Sequence, residues 1–263
     1  MHFRAEVLAK YYSHPDRYSV EDGYLRAGSL WGLKMDNDHT DRVVVFLGDL
    51  GRDLPAAERD YWRSFNIPPE GPPLSKTAFT RSIRGWFADP ARPDLAFKSF
   101  FPYFCEKWRE KFGWDLFLPL AKDDVHHLIS LRIPVHNDQS EFDAQVQSLT
   151  KVLIDSLNEA ELGKGLSLPE EAKGISKFKA FLEAKNVKEG NTTISFLRNL
   201  QTLRSTGVSH RKGTNYIKIA KVFDLENKEF KEVAADLFIA AQKMLRTLGT
   251  ELLPKQSWKD EDT

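Results

Sequence analysis

The chain has 263 residues, of which 41% are hydrophobic and 29% are charged, a composition typical of a folded globular protein and unlike that of a disordered one. Lysine plus arginine and aspartate plus glutamate both total 38, so only a local cluster of cations can indicate a polyanionic partner. The sequence has neither the apolar core of a signal peptide at its start nor an apolar run near the roughly 18 residues of a membrane helix, which predicts a cytoplasmic protein without membrane contacts.

Residues 1–135 are predicted to form an α+β domain with a small sheet and an unknown role. They hold all but one of the six tryptophans and 11 of the 13 prolines, and their apolar runs are short. The segment Asp41–Leu50 is the best strand candidate, because it has consecutive β-forming residues closed by a Gly-Asp pair. Helices are predicted over Pro55–Asn66, with Pro55 near the first helical position, and after Ser75, which can act as an N-cap.

An aromatic-rich segment follows at Phe97–Trp114 and predicts a helix that Pro102 interrupts, because proline cannot donate a backbone hydrogen bond. Aromatic side chains often anchor interfaces, so the N-terminal half is a candidate surface for a protein partner. Cys105, the only cysteine, excludes an internal disulfide and a zinc site built from thiolates. Two interpretations of Cys105 stay open, a buried core thiol and a reactive thiol.

Residues 136–263 carry four amphipathic helical patterns separated by turn signals. The patterns cover about Asp138–Leu162, Ile175–Asn186, the stretch from Thr192 through Leu203, and about Lys228–Leu253. Each pattern places apolar residues at steps of three and four, and four such stripes can bury one another in a four-helix bundle. The predicted fold class is therefore mainly α, with an N-terminal α+β domain followed by a C-terminal four-helix bundle.

The third helical pattern leads into the strongest local charge asymmetry of the chain. From Gly190 to Phe223 there is no aspartate or glutamate. The cations of this stretch are Arg198, Arg204, Arg211, Lys212, Lys218 and Lys221. Such a stretch suits contact with phosphate or another polyanion. The alternative is a solvated basic helix end, because cations are stabilised at helix C-termini.

Arg204 and His210 are the candidate catalytic residues of this stretch. On an unbroken helix their spacing turns about 600°, which leaves the side chains about 120° apart and about 9 Å apart along the axis. They can converge only if the chain bends at Gly207 or if a second chain supplies the complement. An arginine that grips phosphate and a histidine that transfers protons can cleave RNA through its own 2′-OH, without metal or cofactor. The alternative for His210 is capping of helix carbonyls.

A helical bundle whose third helix carries arginine, four to six residues and then histidine resembles the HEPN superfamily, which includes ribonuclease toxins and antiviral effectors of prokaryotes. The match here is RSTGVSH, Arg204–His210, and the resemblance covers the C-terminal region 136–263. It implies a metal-independent endoribonuclease in phage defence or stress response, which binds RNA as a homodimer with an Arg–His pair from each chain in one composite site. The candidate substrate-binding residues are Ser209, Arg211, Lys212, Asn215 and Arg198.

Ser205 departs from the pattern of this family, since many active members carry asparagine, aspartate or histidine directly after the arginine. Some HEPN proteins are inactive and serve as docking or assembly modules. A non-catalytic interaction module is therefore the alternative function from another class. RNA binding without cleavage is a further alternative, and salt-dependent affinity would mark it.

Two other groups of polar residues are weaker candidates for a metal site. The first group consists of Asp49, Asp53, Glu58 and Asp60. These acids lack a metal-ligand spacing, and roles at turns and helix starts explain them more simply. The second group is the pair His126–His127 behind two aspartates. Adjacent residues on a helix diverge by about 100°, so the two imidazoles are interpreted as surface groups and no metal site is predicted.

Overall fold

The chain forms two compact units, Met1–Ala96 and Phe97–Thr263. The computed structural model describes residues 1–207 and 214–255. The sequence predicts a division after residue 135, whereas the two units of the structure divide after residue 96. The physical reason is aromatic packing, because Phe97 and Trp108 are fully buried in the same apolar cluster as the helices that follow residue 136.

Short strands form two antiparallel three-stranded sheets in the described part of the first unit. The strands are β1 (His2–Arg4), β2 (Ser19–Glu21), β3 (Tyr24–Ala27), β4 (Trp31–Lys34), β5 (Arg42–Val44) and β6 (Asn66–Ile67). In one sheet β1 lies between β5 and β6, and in the other β3 lies between β2 and β4. The register pairs Phe3 with Val43 and Leu25 with Leu33, and all four side chains are buried. Each sheet thus turns one apolar face to the core.

Short helices complete the first unit. They are α1 (Ala9–Tyr12), α2 (Leu47–Asp53), α3 (Ala56–Arg63) and α4 (Lys76–Ser82). The helix predicted from Pro55 is confirmed as α3, with Pro55 at its N-cap position. The strand predicted over Asp41–Leu50 is correct only for β5, because Leu47 already begins α2. Asp49 lies in the first turn of α2, where a negative charge favours the helix.

The core of the first unit is built around a buried chain of hydrogen bonds. Trp62 donates through Nε1 to the hydroxyl of Tyr11 at 2.8 Å, and Tyr11 donates to the carboxylate of Glu58. Lys10 donates to the same carboxylate at 2.7 Å. Glu58 is therefore a buried acceptor that joins α1 to α3, and its carboxylate is already occupied by Lys10 and Tyr11.

Ser75 caps α4, as the sequence predicted. Its Oγ accepts from the backbone N–H of Ala78 at 3.0 Å, and the same hydroxyl donates to Asp36 at 2.8 Å. The backbone N–H of Ser75 also donates to Asp36 at 2.6 Å. The buried side chain of Ser75 thus joins a helix start to a buried carboxylate.

Replacing Ser75 by alanine is expected to lower the free energy of unfolding by about 1–2 kcal/mol. The substitution removes the cap of α4 and one of the hydrogen bonds to the Asp36 carboxylate. Urea denaturation followed by circular dichroism measures the loss. The matched control is Ser64→Ala, because the Ser64 hydroxyl is exposed and donates only to the nearby Tyr61 carbonyl at 2.7 Å. Equal losses in both variants would contradict the role given to Ser75.

The second unit is helical in its described part. Its helices are α5 (Pro93–Phe112), which begins before the division, α6 (Val125–Ile129), α7 (Gln139–Thr150), α8 (Glu159–Gly163), α9 (Gly174–Ala184), α10 (Gly190–Gly207), α11 (Thr214–Val222) and α12 (Phe230–Leu252). A π-helical turn, Lys151–Asp155, continues directly from α7. The first predicted pattern, Asp138–Leu162, is therefore divided among α7, the π turn and α8. α11 was not predicted.

The predicted interruption at Pro102 is wrong, because α5 runs through this proline without a break. A proline inside a helix costs about 3 kcal/mol, through one missing hydrogen bond and a steric clash. Phe97, Phe104 and Trp108 are 0% exposed on the same helix, and Trp108 lies 6.0 Å from the ring of Phe181. Burial of these large rings offsets the local cost.

The predicted apolar stripes of the C-terminal region are buried. Leu153, Phe178, Leu197 and Leu245 are 0% exposed and belong to one cluster. α10 packs against α7, α9 and α12, and α12 also packs against α7. The prediction of a mainly α chain with a small sheet region is confirmed. The four-helix bundle stays a prediction, because α5 contributes to the same core.

Candidate functional site

The acid-free basic segment includes α10 and α11. α10 ends at Gly207 and α11 begins at Thr214. Ser209, His210, Arg211 and Lys212 lie outside the described residues, as does the side chain of Asn215. The geometry of the candidate site is therefore built from Arg204 and its surroundings.

Arg204 lies in the last turn of α10, on the surface of the second unit. Its Nη1 donates to Oδ2 of Asp155 at 2.7 Å. The side chains of Arg204 and Asp155 are 31% and 35% exposed, so a solvent-borne anion can reach the guanidinium. The contact uses one of the five donors of the arginine, and it fixes the side chain without enclosing it.

Asp155 ends a row of polar side chains along α7 and the π turn. Ser148 contacts Nδ1 of His127 at 3.0 Å, Lys151 pairs with Asp124 at 3.0 Å, and Asp155 pairs with Arg204. The three positions are spaced by three and four residues, which places them on one helix face. We call this group, Ser148, Lys151 and Asp155 with their three partners, the polar row.

The two histidines at residues 126 and 127 belong to the neighbourhood of the polar row. Their ring centroids lie 4.1 Å apart, so the two imidazoles are in contact although adjacent helical residues point in directions about 100° apart. Burial lowers the pKa of His127 below its ordinary value, and the neighbouring His126 and Lys151 lower it further. His127 is therefore neutral at neutral pH and able to accept a proton.

Arg198, a predicted substrate-binding residue, is exposed about one and two-thirds turns before Arg204 on α10. On a regular helix this spacing separates the two side chains by about 120°. Lys218 and Lys221 are exposed on α11. The structure thus brings Arg204 together with Asp155, and it places Arg198 on a different line of the helix surface.

The weaker candidates of the sequence have structural explanations. Arg52 binds both Asp49 at 2.8 Å and Asp53 at 2.6 Å. Burial raises the pKa of the Cys105 thiol to about 12, which favours the interpretation of a core thiol over that of a reactive one. Within residues 1–207 and 214–255, no group of three or more potential ligands is placed to hold a metal ion.

No family model, no curated protein and no solved structure matches this chain. Across the described ranges of the sequence, no helix combines the length and the apolar character needed to cross a bilayer. The resemblance to the HEPN superfamily consequently rests on the Arg204–His210 motif and the helical patterns around it.

Sequence reasoning missed Asp155 and Lys151. A signal for them was present, because Ser148, Lys151 and Asp155 interrupt the apolar pattern of the first helix at helical spacing. Their partners come from segments 21 to 49 residues away in the chain, and the sequence alone did not indicate these pairings.

Proposed function

We propose that the helical unit is a metal-independent endoribonuclease that acts on RNA through Arg204 and His210. The observation that carries the proposal is the partly exposed guanidinium of Arg204, which Asp155 orients at 2.7 Å. Arg204 belongs to a basic segment without acidic residues that also contains His210. A guanidinium held in this way is preorganised for a phosphate. A role in phage defence or stress response is the biological context that the HEPN resemblance implies.

In the proposed reaction, the 2′-oxygen of a ribose attacks the adjacent phosphorus atom. A base accepts the 2′-OH proton, the bond between phosphorus and the 5′-oxygen breaks, and an acid protonates this leaving oxygen. His210 supplies the proton transfer, and Arg204 stabilises the charge that builds on the phosphorane. A homodimer provides two imidazoles, so that one can act as base and the other as acid. Ser209, Arg211, Lys212 and Asn215 support binding of the strand.

The proposal is tested by the chemistry of the products. Purified protein incubated with single-stranded and structured RNA in excess chelator should release fragments with 2′,3′-cyclic phosphate and 5′-hydroxyl ends. An RNA with 2′-deoxyribose at the cleaved position should remain intact, because it lacks the nucleophile. Cleavage that requires added magnesium, or that leaves 5′-phosphate ends, would overturn the proposed mechanism.

Asp155 gives a prediction that concerns RNA affinity. Asp155→Asn keeps an oxygen that can accept from Arg204 but removes a negative charge beside the proposed phosphate site. At a separation of about 6 Å in water, this charge is worth about 0.7 kcal/mol, so we expect RNA to bind about threefold more tightly. Fluorescence anisotropy at constant salt measures the change.

The matched control for this prediction is Asp236→Asn, which removes the carboxylate from another surface ion pair of the second unit, 2.6 Å from Lys228. Both variants change the net charge by the same amount. An equal gain in affinity from both would show that Asp155 acts only through the overall charge of the protein.

A non-catalytic interaction module is the second candidate function, and one observation favours it. Ile83, Trp86 and Phe87, which follow α4 in the first unit, are 60%, 65% and 106% exposed. Large aromatic side chains at a surface are typical of interface anchors. Wild-type protein that neither cleaves nor binds RNA would favour this function over the nuclease.

A further inference from the structure

Exposed aromatic rings at the end of α4 in the first unit surround an arginine. Phe79, Trp86 and Phe87 are 42%, 65% and 106% exposed. The central guanidinium carbon of Arg84 lies 5.5 Å from the ring centroids of both Phe79 and Trp86. Arg84 is exposed as well, so the rings and the guanidinium together offer flat surfaces to a group from solvent. We call these four side chains the aromatic platform.

Backbone hydrogen bonds hold the aromatic platform in place. The N–H of Trp86 donates to the carbonyl of Thr80 at 3.2 Å. The N–H of Arg84 donates to the carbonyl of Phe79 at 3.3 Å. Gly85 has a φ of +69°, in the left-handed region that favours glycine, and it lets the chain turn between Arg84 and Trp86. The rings are therefore presented by a hydrogen-bonded turn, which lowers the entropy lost when a ligand binds to them.

The aromatic platform lies in a stretch without acidic residues. From Gly71 to Ala88 the chain has no aspartate or glutamate. Lys76 precedes Phe79 by three residues on α4, so the two side chains share one face of the helix. Both Lys76 and Arg84 are exposed, and neither forms an ion pair with a residue inside the described ranges. Their charges are thus available to an anionic group.

The acidic cavity beside α4 lies at a different face of this helix. Asp22 and Asp38 line the cavity together with Arg81, and Asp22 pairs with Arg81 at 2.8 Å. Arg81 is two residues after Phe79, which places the two side chains about 160° apart around the helix. These acids therefore do not share the face of α4 that carries Phe79.

Asp89, the first acid after the aromatic platform, follows a segment that returns to the side of Arg81. The carbonyl of Ala88 accepts from Nε of Arg81 at 2.7 Å, and that of Asp89 accepts from the hydroxyl of Thr77 at 3.1 Å. Thr77 is two residues before Phe79 and hence also about 160° from it around the helix. The chain has thus crossed to the opposite side of α4 before its next acid.

We propose that the aromatic platform binds the unpaired bases of a single-stranded RNA. Its rings and guanidinium suit base stacking, and the free charges of Arg84 and Lys76 suit the phosphates between the bases. A strand that carries a flat ring and an anion in every unit uses both kinds of group, whereas an apolar protein anchor uses only the rings. The choice of RNA over other single strands rests on the proposed function of the second unit.

The test is fluorescence anisotropy with a labelled strand of about 12 nucleotides, supplied as RNA in chelator and as DNA, which lacks the 2′-OH. The full wild-type chain should bind both strands with a Kd below about 100 μM. The same sequence as a duplex should bind more weakly, because its bases are already stacked and paired. Trp86→Ala should weaken binding of the single strand about tenfold, or about 1.4 kcal/mol, whereas Trp86→Phe keeps a ring and should stay within about threefold of the wild type.

Two matched controls separate the aromatic platform from general effects of charge and surface. Arg84→Glu should weaken binding and reduce its salt dependence. Arg59→Glu makes the same charge change at an exposed position on α3 and should weaken binding much less. Leu30→Ala removes an apolar side chain that is 86% exposed between β3 and β4, and it should bind like the wild type.

Three outcomes would overturn this inference. They are no binding of either strand at about 1 mM, which would leave the exposed rings to a protein partner, equal affinity for single strand and duplex, and unchanged binding in Trp86→Ala. RNA cleavage in the same preparations reports separately on the ribonuclease. Protein that binds DNA through the aromatic platform but leaves RNA intact would contradict the ribonuclease alone, and protein that cleaves RNA with unchanged affinity in Trp86→Ala would contradict this inference alone.

Discussion

Replacing Arg204 by alanine is expected to reduce RNA cleavage by about 10²–10³-fold, because the variant loses the donor that stabilises charge on the phosphorane. His210→Ala should reduce it by about 10²–10⁴-fold through the loss of proton transfer. If the two groups act on one phosphodiester, the double variant should be little slower than the worse single variant. Initial rates on a fluorescent single-stranded RNA in chelator measure all three effects.

The Arg204→Lys variant tests whether a positive charge at this position is enough for cleavage or whether the shape of the guanidinium is also needed. Lysine keeps the positive charge but cannot form two parallel hydrogen bonds to a phosphate, so cleavage should remain well below that of the wild type. The matched control is Lys179→Ala, which removes a cation from α9 that pairs with Glu183 at 3.1 Å. Wild-type rates in both Arg204→Ala and His210→Ala would show that any cleavage arises elsewhere.

Replacing Asp94 by alanine is expected to destabilise the first unit by about 3–5 kcal/mol, because it leaves a buried guanidinium without its counter-ion. Arg92 and Asp94 are 8% and 0% exposed, and two parallel hydrogen bonds of 2.8 and 2.7 Å join them. Arg92 also donates to the carbonyl of Asn37 at 3.1 Å. The pair therefore ties the segment before α5 to the loop after β4.

The destabilisation can be measured by urea denaturation followed by tryptophan fluorescence. Asp53→Ala is the control, since it removes the carboxylate from an ion pair of similar length, 2.6 Å, whose arginine is 69% exposed. Solvent screens such a pair, and no measurable change in the unfolding midpoint is expected. A small effect in Asp94→Ala would mean that water reaches Arg92 and solvates it.

The sequence predicted helices better than their ends or their partners. The periodic apolar residues of α9, α10 and α12 located these helices to within a few positions, because a buried stripe requires helical spacing. The helix break predicted at Pro102 was wrong because the sequence shows the local cost of a proline but not the burial of Trp108 that compensates for it. The same aromatic packing moved the division of the chain to residue 96.

The candidate site around Arg204 was predictable only in part, because local sequence patterns do not show contacts between distant segments. Arg204 was identified from its spacing to His210 and from the absence of nearby acids in the sequence. Asp155 lies 49 residues away along the chain, so the acid that orients Arg204 was invisible to local reasoning.

The π-helical turn at Lys151–Asp155 determines which side chain at the end of this helix faces Arg204. A wide turn of this kind accommodates one residue more than an α-helical turn. Deleting one residue between Lys151 and Asp155 would leave Ser148 opposite His127 and Lys151 in place. The chain beyond the deletion would shift by one position, so that the hydroxyl of Ser156 would take the place of the Asp155 carboxylate beside Arg204. A single-codon deletion could thus release this guanidinium while the rest of the polar row keeps its partners.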